Sequence, residues 1–247
     1  GWRMSRPGSA ARVRPFIEQY GIAEEEHVKA ADAFTSFNDF FYRKLRPAAR
    51  PVDAAADSVV FSADGRHLGF AKASAMDGVY VKGQRFDLGR LLGDDDLAEQ
   101  FADGTAVFSR LCPVDYHRFH FPVAGVPGNA RMINGPLYSV NPLALRDRLA
   151  ILWENKRFIT EIETEQVGRV LMLEIGATNV GGVHHTFVPT RLVEKGEEKG
   201  YFAFGGSATL TLFEPGRVQL AEDLLEQSAK QRELYAKVGD RMGAILS

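Results

Sequence analysis

A serine preceded by two glycines is the group of residues in this sequence with the clearest potential for chemistry. Gly205, Gly206 and Ser207 lie between an aromatic segment and an alternating, strand-like segment. A serine hydroxyl can attack the carbonyl group of the preceding residue only where the backbone departs from ordinary strand geometry, and glycine reaches such conformations at the lowest steric cost. The pattern therefore fits a self-cleaving bond between Gly206 and Ser207. A β-bulge or a close backbone approach is the more ordinary meaning of such glycines, and on these residues alone both interpretations stay open.

A second candidate segment is dense in titratable side chains. His117 and His120 are three residues apart, and Asp115, Tyr116 and Arg118 lie among them. In an extended chain the two histidines would face opposite sides, whereas one turn of helix would bring them together, so the spacing leaves their relative placement open. Because imidazole titrates near neutral pH, either histidine is a candidate acid or base.

Two further polar positions follow strand-like segments. Asp64 occupies a turn, where an aspartate is ordinarily structural. Residues 176–182 form a glycine-rich loop without the G-x-G-x-x-G order of a dinucleotide site or the lysine of a P-loop. His184 and His185 follow that loop, and the sequence assigns them no role.

The first fifty residues are predicted to be helical. Gly21 is suited to end a first helix, and Thr35 or Ser36 is suited to begin another. That helix would carry one apolar face with basic residues beside it: Phe37, Phe40, Phe41 and Leu45, with Arg43, Lys44 and Arg46. Such a face either packs on its own protein or rests on an anionic bilayer, where apolar burial and basic attraction act together.

From Pro47 onward the sequence predicts strands separated by turns. The strand-like segments are 59–61, 78–83, 105–108, 169–175 and 208–213, and helices are expected over 97–101, 144–153 and 219–236. We therefore predict an α+β fold with a β-rich, barrel-like or sandwich-like catalytic core. Residues 1–46 would form an N-terminal helical region that could face a membrane, and residues 47–247 the catalytic domain.

Composition excludes several classes of protein. The chain has 247 residues, a hydrophobic content of 45% and a formal net charge of −2, so nothing in its charge suggests a nucleic-acid partner. A single cysteine, Cys112, rules out an internal disulfide framework. No apolar run is long enough for a transmembrane helix. We expect no metal site, because a His-x-x-His spacing is a loose signature and no fourth ligand is apparent.

Taken together, the motifs resemble the phosphatidylserine decarboxylase family of pyruvoyl-dependent enzymes. The similarity begins near Phe37 and runs toward the C-terminus, in the same order along the chain. The matching stretches are 40–47 with 50–52, 63–66, 115–120, 138–142, 176–181 and 205–207. One position departs from the pattern, since Ala208 stands where the family commonly has threonine. Any help from that hydroxyl in maturation would be absent or would come from Thr209.

The resemblance implies a cofactor made from the protein itself. An Asp64–His120 pair would take the proton of Ser207, whose oxygen would attack the carbonyl of Gly206 and form an ester. Elimination would then cleave the chain into 1–206 and 207–247, the two retained chains of the mature enzyme, and Ser207 would become a pyruvoyl group. The substrate amine would form a Schiff base with this group, which would accept the electrons released as carbon dioxide departs.

The resemblance also implies roles for other residues and partners. His117 would return a proton to the substrate, Tyr138, Ser139 and Asn141 would line the pocket, and Arg118 would meet an anionic group. The substrate would be phosphatidylserine in an anionic membrane, with the enzyme bound peripherally at the cytoplasmic face of the cell membrane. A homodimer is compatible with this assignment.

Three other functions are weighed against this one. A pyruvoyl-dependent decarboxylase of a free amino acid, such as an aromatic one, would use the same catalytic residues but would not need to bind vesicles. A zinc hydrolase could use Asp64, His117 and His120 with His184 or His185. A catalytically silent β-rich binding module would not need the Asp, His and Ser set.

Overall fold

The structure is a computed structural model that describes residues 2–76, 86–177, 182–205 and 207–246. Three features singled out in the sequence fall outside these ranges. They are the predicted strand 78–83, the second half of the glycine-rich loop at 178–181, and Gly206.

An eight-stranded antiparallel sheet forms the centre of the described part of the chain. Its strands follow the order β13-β2-β3-β11-β8-β7-β5, and β6 also pairs with β7. Two three-stranded sheets, β1-β14-β12 and β4-β10-β9, accompany it. The strands are β1 (Ser58–Val60), β2 (Gly65–Phe70), β3 (Ala106–Leu111), β4 (Arg118–His120), β5 (Val126–Pro127), β6 (Arg131–Ile133), β7 (Arg157–Thr164), β8 (Gly168–Gly176), β9 (Val183–His185), β10 (Glu198–Phe202), β11 (Ser207–Phe213), β12 (Val218–Leu220), β13 (Leu234–Ala236) and β14 (Arg241–Ile245).

The described helices are short. They are α1 (Val13–Tyr20), α2 (Phe37–Phe41), α3 (Leu88–Leu92), α4 (Asp95–Phe101), α5 (Pro142–Asp147), α6 (Ile151–Glu154) and α7 (Glu222–Ala229). Short 3-10 helices cover Trp2–Ser5, Pro7–Arg12, Glu24–Glu26, Ala31–Ala33, Pro47–Ala49 and Ala73–Met76. The predicted α+β class with a β-rich core is confirmed.

Side chains on the two faces of the large sheet enter different cores. Ala208, Leu210 and Leu212 of β11 join the apolar cluster that includes side chains of α3 to α6. Phe213, on the opposite face, packs in a second cluster with residues of β12, β14 and α7. Because side chains alternate along a strand, Ser207 and Thr209 lie on the same face as Phe213.

Local capping explains where several helices begin and end. The Ser36 hydroxyl accepts a hydrogen bond from the Asp39 amide at the start of α2, and Asp94 accepts one from the Leu97 amide at the start of α4. Gly21 ends α1 in the left-handed conformation, with φ of 60°. The signals at Gly21 and Ser36 were identified in the sequence, and the structure confirms them.

The prediction of a helix over 219–236 is wrong at both ends. The chain forms β12 and then α7, which stops at Ala229, and β13 follows. Gln231 has a positive φ of 55°, which breaks the helical geometry. Leu234 to Ala236 then pair with β2 at the edge of the large sheet, so tertiary pairing overrides the helical pattern of the sequence.

The aromatic face of α2 packs on the protein itself. Phe37, Phe40 and Phe41 are 4%, 0% and 0% exposed, so they cannot insert into a bilayer. The alternative that this face rests on a membrane is therefore wrong. Helix α2 ends at Phe41, before Leu45. The phenylalanines form a cluster with residues of α1 and with Phe204, which belongs to the segment leading to Ser207. The N-terminal region is therefore packed directly against the chain that precedes the serine.

A completely buried ion pair joins the large sheet to the small sheet β4-β10-β9. Lys199 Nζ on β10 lies 2.5 Å from Glu174 Oε1 on β8, and both side chains are 0% exposed. His185 Nε2 on β9 contacts the other carboxylate oxygen at 3.0 Å. Burial raises the pKa of Glu174, but the Lys199 charge and the His185 contact outweigh it and hold the pKa below its usual value.

Lys199→Met should destabilise the fold by about 3–5 kcal/mol, because it leaves the Glu174 charge buried without its main partner. Urea unfolding of the purified variants measures this. The double variant Lys199→Met with Glu174→Met should recover most of the loss, since a buried pair can be replaced by apolar side chains at little cost. The control Lys72→Met breaks the exposed pair with Asp103 and should cost no more than about 1 kcal/mol. A Lys199→Met loss as small as that of the control would contradict this account.

Candidate functional site

Ser207 is the first residue of β11 and is held between two neighbouring strands. It lies opposite Leu111 of β3 and Gly176 of β8. Its side chain is 0% exposed, and its hydroxyl has no hydrogen-bond partner within the described residues. Such an unsatisfied buried hydroxyl is uncommon and marks a functional candidate. Gly205, two residues earlier, has φ of 152°, which residues other than glycine rarely adopt.

A four-residue apolar cluster connects Ser207 to the other candidate residues. The cluster consists of Ala63, Leu111, Phe119 and Phe202, and we call it the Leu111 cluster. Leu111 pairs with Ser207, and Ala63 forms a β-bridge with Phe119. Asp64 and His120 directly follow Ala63 and Phe119 in the chain, and the amide of Phe202 donates to the carbonyl of His117. The fold thus brings all four predicted catalytic residues around one cluster.

Asp64 is buried and held by an arginine. Its carboxylate accepts hydrogen bonds from Arg50 Nε at 2.9 Å and from Arg50 Nη2 at 2.6 Å. It also accepts one from the amide of Val238 at 2.9 Å. Asp64 and His120 therefore share no hydrogen bond, because a guanidinium binds the carboxylate in a bidentate manner that a neutral imidazole cannot match. The proton-transfer role expected for the two residues stays a prediction.

His120 has other hydrogen-bond partners. Its Nδ1 lies 2.8 Å from the carbonyl of Gly196 and must be the protonated nitrogen, because a carbonyl can only accept. Its Nε2 lies 3.3 Å from the hydroxyl of Tyr116, which then donates to it. Burial lowers the pKa of His120, while the charges of Glu198 and Asp64 act in the opposite direction. Asp64 thus influences His120 through its charge and not through a hydrogen bond.

His117 is completely buried against an aromatic ring. Its Nδ1 donates to the carbonyl of Asp115 at 2.9 Å, and its Nε2 has no partner within the described residues. The ring centroids of His117 and Phe41 lie 3.8 Å apart. Burial lowers the pKa of His117 to about 3, so the ring is neutral at neutral pH. The free Nε2 lone pair can therefore accept a proton before it donates one.

The segment that contains Tyr138, Ser139 and Asn141 is tied to the strand beside Ser207. Asn155 makes this connection, because its amide nitrogen donates to the carbonyls of both Tyr138 and Gly176 at 2.8 Å. Tyr138 is 43% exposed, and the Asn141 side chain caps α5 by accepting from the amide of Ala144. Ser139 accepts from the amide of Asn141 at 3.3 Å.

Arg118 is already neutralised. Its Nη1 donates to Glu198 Oε1 at 2.8 Å, and its Nε donates to the carbonyl of Tyr42 at 3.0 Å. The guanidinium also stacks on Tyr201, with its central carbon 4.9 Å from the ring centroid. This arginine therefore has little charge left for an anionic substrate group, contrary to the role expected from the sequence.

Sequence reasoning gave no role to three residues that organise the site: Arg50, Tyr116 and Asn155. Arg50 and Tyr116 lie inside the recognised motifs, but a motif does not reveal which residue an arginine or a tyrosine contacts. Asn155 gave no signal, because its partners Tyr138 and Gly176 are 17 and 21 residues away along the chain.

The residue after Ser207 belongs to the opposite face of the sheet. Ala208 is 0% exposed and packs in the apolar cluster with Leu210 and Leu212. Thr209 lies on the face of Ser207, and its buried hydroxyl also has no partner among the described residues. A hydroxyl that assists Ser207 from the same face would therefore belong to Thr209.

A buried hydroxyl, two neutral imidazoles and a carboxylate fixed by an arginine thus lie on segments that meet at the Leu111 cluster, and no hydrogen bond joins the hydroxyl to an imidazole. Groups of these types can move a proton from a hydroxyl to an imidazole and stabilise the resulting charge. Within the described ranges, no group of three or more histidine, cysteine, aspartate or glutamate side chains is arranged to hold a metal ion. The same part of the chain contains no helix long and apolar enough to cross a bilayer.

Comparison with known proteins identifies the family. Residues 37–244 match the profile described as Phosphatidylserine decarboxylase. Three proteins named Phosphatidylserine decarboxylase proenzyme are close relatives. The Chlamydia muridarum protein is 48% identical over 94% of this chain and 77% of its own length. Those of Chlamydia pneumoniae and Chlamydia caviae are 45% and 44% identical over 98% and 100% of this chain and 81% and 82% of their own lengths. The chain belongs to the phosphatidylserine decarboxylase family, and its activity is that of a carboxy-lyase that converts phosphatidylserine to phosphatidylethanolamine.

Proposed function

We propose that this carboxy-lyase makes its own pyruvoyl group from Ser207 by cleaving the chain between residues 206 and 207. The observation that carries the proposal is the Ser207 hydroxyl, which is fully buried and unpartnered beside the Leu111 cluster. The name proenzyme given to the relatives supports a cleavage step.

The residues around position 207 fit a pyruvoyl group. The group would lie in a buried position, since Ser207 is 0% exposed and its neighbour Leu111 is 2% exposed. Strand β11 would keep its place after cleavage, because it pairs with β3 on one side and β8 on the other. Both neighbouring strands belong to chain 1–206, so the large and small chains of the mature enzyme would stay assembled.

In maturation, His120 acts as the base. Its Nε2 lone pair, engaged only by Tyr116 at 3.3 Å, takes the proton of the Ser207 hydroxyl. The serine oxygen then attacks the carbonyl carbon of residue 206, and the peptide bond is replaced by an ester. Asp64 stabilises the imidazolium through its charge, and Arg50 keeps the carboxylate in place. Removal of the Ser207 α-proton expels the carboxylate of residue 206, which separates the two chains and leaves dehydroalanine at position 207. Water then hydrolyses the imine tautomer of dehydroalanine, which releases ammonia and leaves the pyruvoyl group.

In turnover, a pyruvoyl group supplies an electron sink for the pair of electrons released with carbon dioxide. His117 handles protons at the substrate. Its free Nε2 takes a proton from the substrate ammonium group, and the same nitrogen later delivers a proton to the α-carbon that has lost carbon dioxide. Phe41 covers the imidazole and shields this exchange from water.

The rival functions receive less support. The family profile and the relatives' names point to phosphatidylserine and not to a free amino acid. The Asp64 carboxylate is held by Nε and Nη2 of Arg50, a cation that occupies the oxygens a zinc ion would need.

The enzyme would bind the cytoplasmic face of the cell membrane peripherally through residues 2–14. Trp2 is 71% exposed, and the surrounding arginines Arg3, Arg6 and Arg12 are exposed as well. An exposed aromatic ring amid positive charge suits an anionic bilayer surface. This segment replaces the buried face of α2 as the proposed membrane contact.

Wild-type protein should migrate as two chains in denaturing electrophoresis, and Ser207→Ala should remain one chain without decarboxylase activity. The reason is that only the serine oxygen can attack residue 206. Thr211→Val is the matched control, since it removes a buried hydroxyl from the same face of β11. An uncleaved wild-type protein that decarboxylates phosphatidylserine would refute the mechanism.

The two histidines should separate maturation from turnover. His120→Ala and Asp64→Asn should accumulate uncleaved chain, since the base or its stabilising charge is missing. His117→Ala should cleave but lose about 10²- to 10⁴-fold in kcat, the usual cost of a missing general acid. Cleavage is followed by electrophoresis and kcat by release of labelled carbon dioxide. His184→Ala, at an exposed histidine stacked on Tyr201, is the control and should do both normally. The reverse pattern for His117 and His120 would exchange their roles.

Changing Arg3, Arg6 and Arg12 together to glutamine should weaken binding to phosphatidylserine vesicles by about 100-fold at low salt, at roughly 1 kcal/mol for each charge. Cosedimentation at increasing salt measures this, and the difference should shrink as screening increases. The control changes the exposed Arg90, Arg217 and Arg232 to glutamine and should bind like wild type. Equal loss in both triple variants would show that total charge, and not this segment, directs binding.

A further inference from the structure

Arg43 is a buried cation without a matching anion. The residue is only 5% exposed to solvent. Nε donates to His27 Nε2 at 3.0 Å, Nη2 donates to the carbonyl of Val114 at 3.3 Å, and Nη1 has no partner within the described residues. Burial lowers the pKa of His27 to about 4, so this neighbour is neutral at neutral pH. A buried charge is ordinarily paired, and its isolation here calls for a ligand.

Other arginines of the described chain whose side chains are buried or nearly so are satisfied. Arg118 pairs with Glu198, and Arg50 pairs with Asp64 and Glu26. Arg157 has no carboxylate, but its Nε, Nη1 and Nη2 each donate to a backbone carbonyl. The free Nη1 therefore distinguishes Arg43 from these three.

Arg43 also lines a small cavity with a positive surface. The cavity has a volume of about 190 Å³. Lys29 and Lys44 contribute further positive charge, whereas the charge of Arg118 is matched by Glu198, and Asp39 is the one carboxylate among the lining residues. Asp39 is engaged by Lys29 at 3.0 Å, which leaves the charges of Arg43 and Lys44 unmatched within the described residues.

The cavity adjoins the reaction centre. Arg43 binds the carbonyl of Val114, three residues before His117, and Phe41 packs on the His117 ring. Arg118, the residue after His117, lines the cavity itself. In phosphatidylserine, only the β-carbon and an ester oxygen separate the α-carbon from the phosphorus. A substrate whose α-carbon lies at His117 must therefore place its phosphodiester within a few bond lengths of that imidazole.

We propose that Arg43, with Lys44 at the mouth of the cavity, binds the phosphodiester of the phosphatidylserine headgroup and makes the site selective for the phospholipid over free serine. This inference rests on the proposed role of His117. The carboxylate of the substrate is a poor alternative occupant, because a cation beside it would stabilise the ground state and oppose loss of carbon dioxide. A planar guanidinium is also well suited to phosphate oxygens.

The test is steady-state kinetics of the mature enzyme on short-chain phosphatidylserine dispersed in neutral detergent, where vesicle binding plays no part. Arg43→Gln should raise KM by about 10- to 100-fold, the range of a lost charge-assisted hydrogen bond, with kcat within about threefold. Inorganic phosphate should compete with substrate in wild type and lose this effect in Arg43→Gln. Arg43→Lys should recover part of the affinity, since it keeps the charge but not the fork geometry.

Controls separate this role from folding and from the proposed mechanism. Arg46→Gln removes a neighbouring arginine that contacts the His27 carbonyl but does not line the cavity, and its KM should stay normal. If Arg43→Gln fails to fold or mature, the variant Lys44→Gln, at an exposed residue, tests the proposal in its place. Its KM should rise by about threefold or more.

A normal KM in the variants, or phosphate that does not compete in wild type, overturns the proposal. Phosphate that competes equally in wild type and Arg43→Gln would reveal a phosphate site elsewhere and also overturn it. An uncleaved wild-type chain would instead refute the maturation mechanism.

Discussion

The position of β11 between β3 and β8 is the constraint on which the rest of the site depends. Hydrogen bonds on both sides fix Ser207 opposite Leu111 and Gly176, so its backbone cannot move independently of the large sheet. Leu111 then packs with Ala63, Phe119 and Phe202, which places Asp64, His117 and His120 around the same cluster. Because a register shift of one residue would turn Ser207 to the opposite face, the strand pairing itself positions the nucleophile.

Buried charges are matched in pairs around this centre, and each pair joins separate segments. Arg50 connects the end of the N-terminal region to Asp64, Arg118 connects β4 to β10, and Lys199 connects β10 to β8. Such pairs add little net stability compared with apolar packing, but breaking one leaves a costly isolated charge. The fold therefore tolerates little movement at the site. Arg43 is the exception, and its unmatched charge is what suggests a ligand.

Much of this arrangement could be predicted from the sequence, because the relevant signals are local. Short apolar segments indicated β8 and β11, and Ser36 and Gly21 indicated helix ends. The order of the motifs identified the family. The sequence did not predict which strands pair when they are far apart along the chain. The edge strand β13 replaced part of an expected helix for this reason, since its formation depends on β2.

The same limit applies to the site. From the motifs we expected Asp64 and His120 to act as a pair. In the structure the Asp64 carboxylate is hydrogen-bonded to Arg50, and the His120 imidazole is hydrogen-bonded to Gly196 and Tyr116. The sequence allowed the aromatic face of α2 to pack in a core or on a membrane, and its contacts with Phe204 and His117 show that it packs in a core. A pattern of residue types gives candidates, whereas burial and hydrogen bonding decide which of them are free to react.

The most direct test of the central claim is the intact mass of the small chain from purified wild-type protein. The account predicts a chain that begins at residue 207 and is lighter than the serine-initiated sequence 207–247 by the mass of one ammonia, as a pyruvoyl group requires. Reduction with borohydride should then add two hydrogens to it. A small chain with the full mass of a free N-terminal serine, from a preparation that decarboxylates phosphatidylserine, would contradict the account.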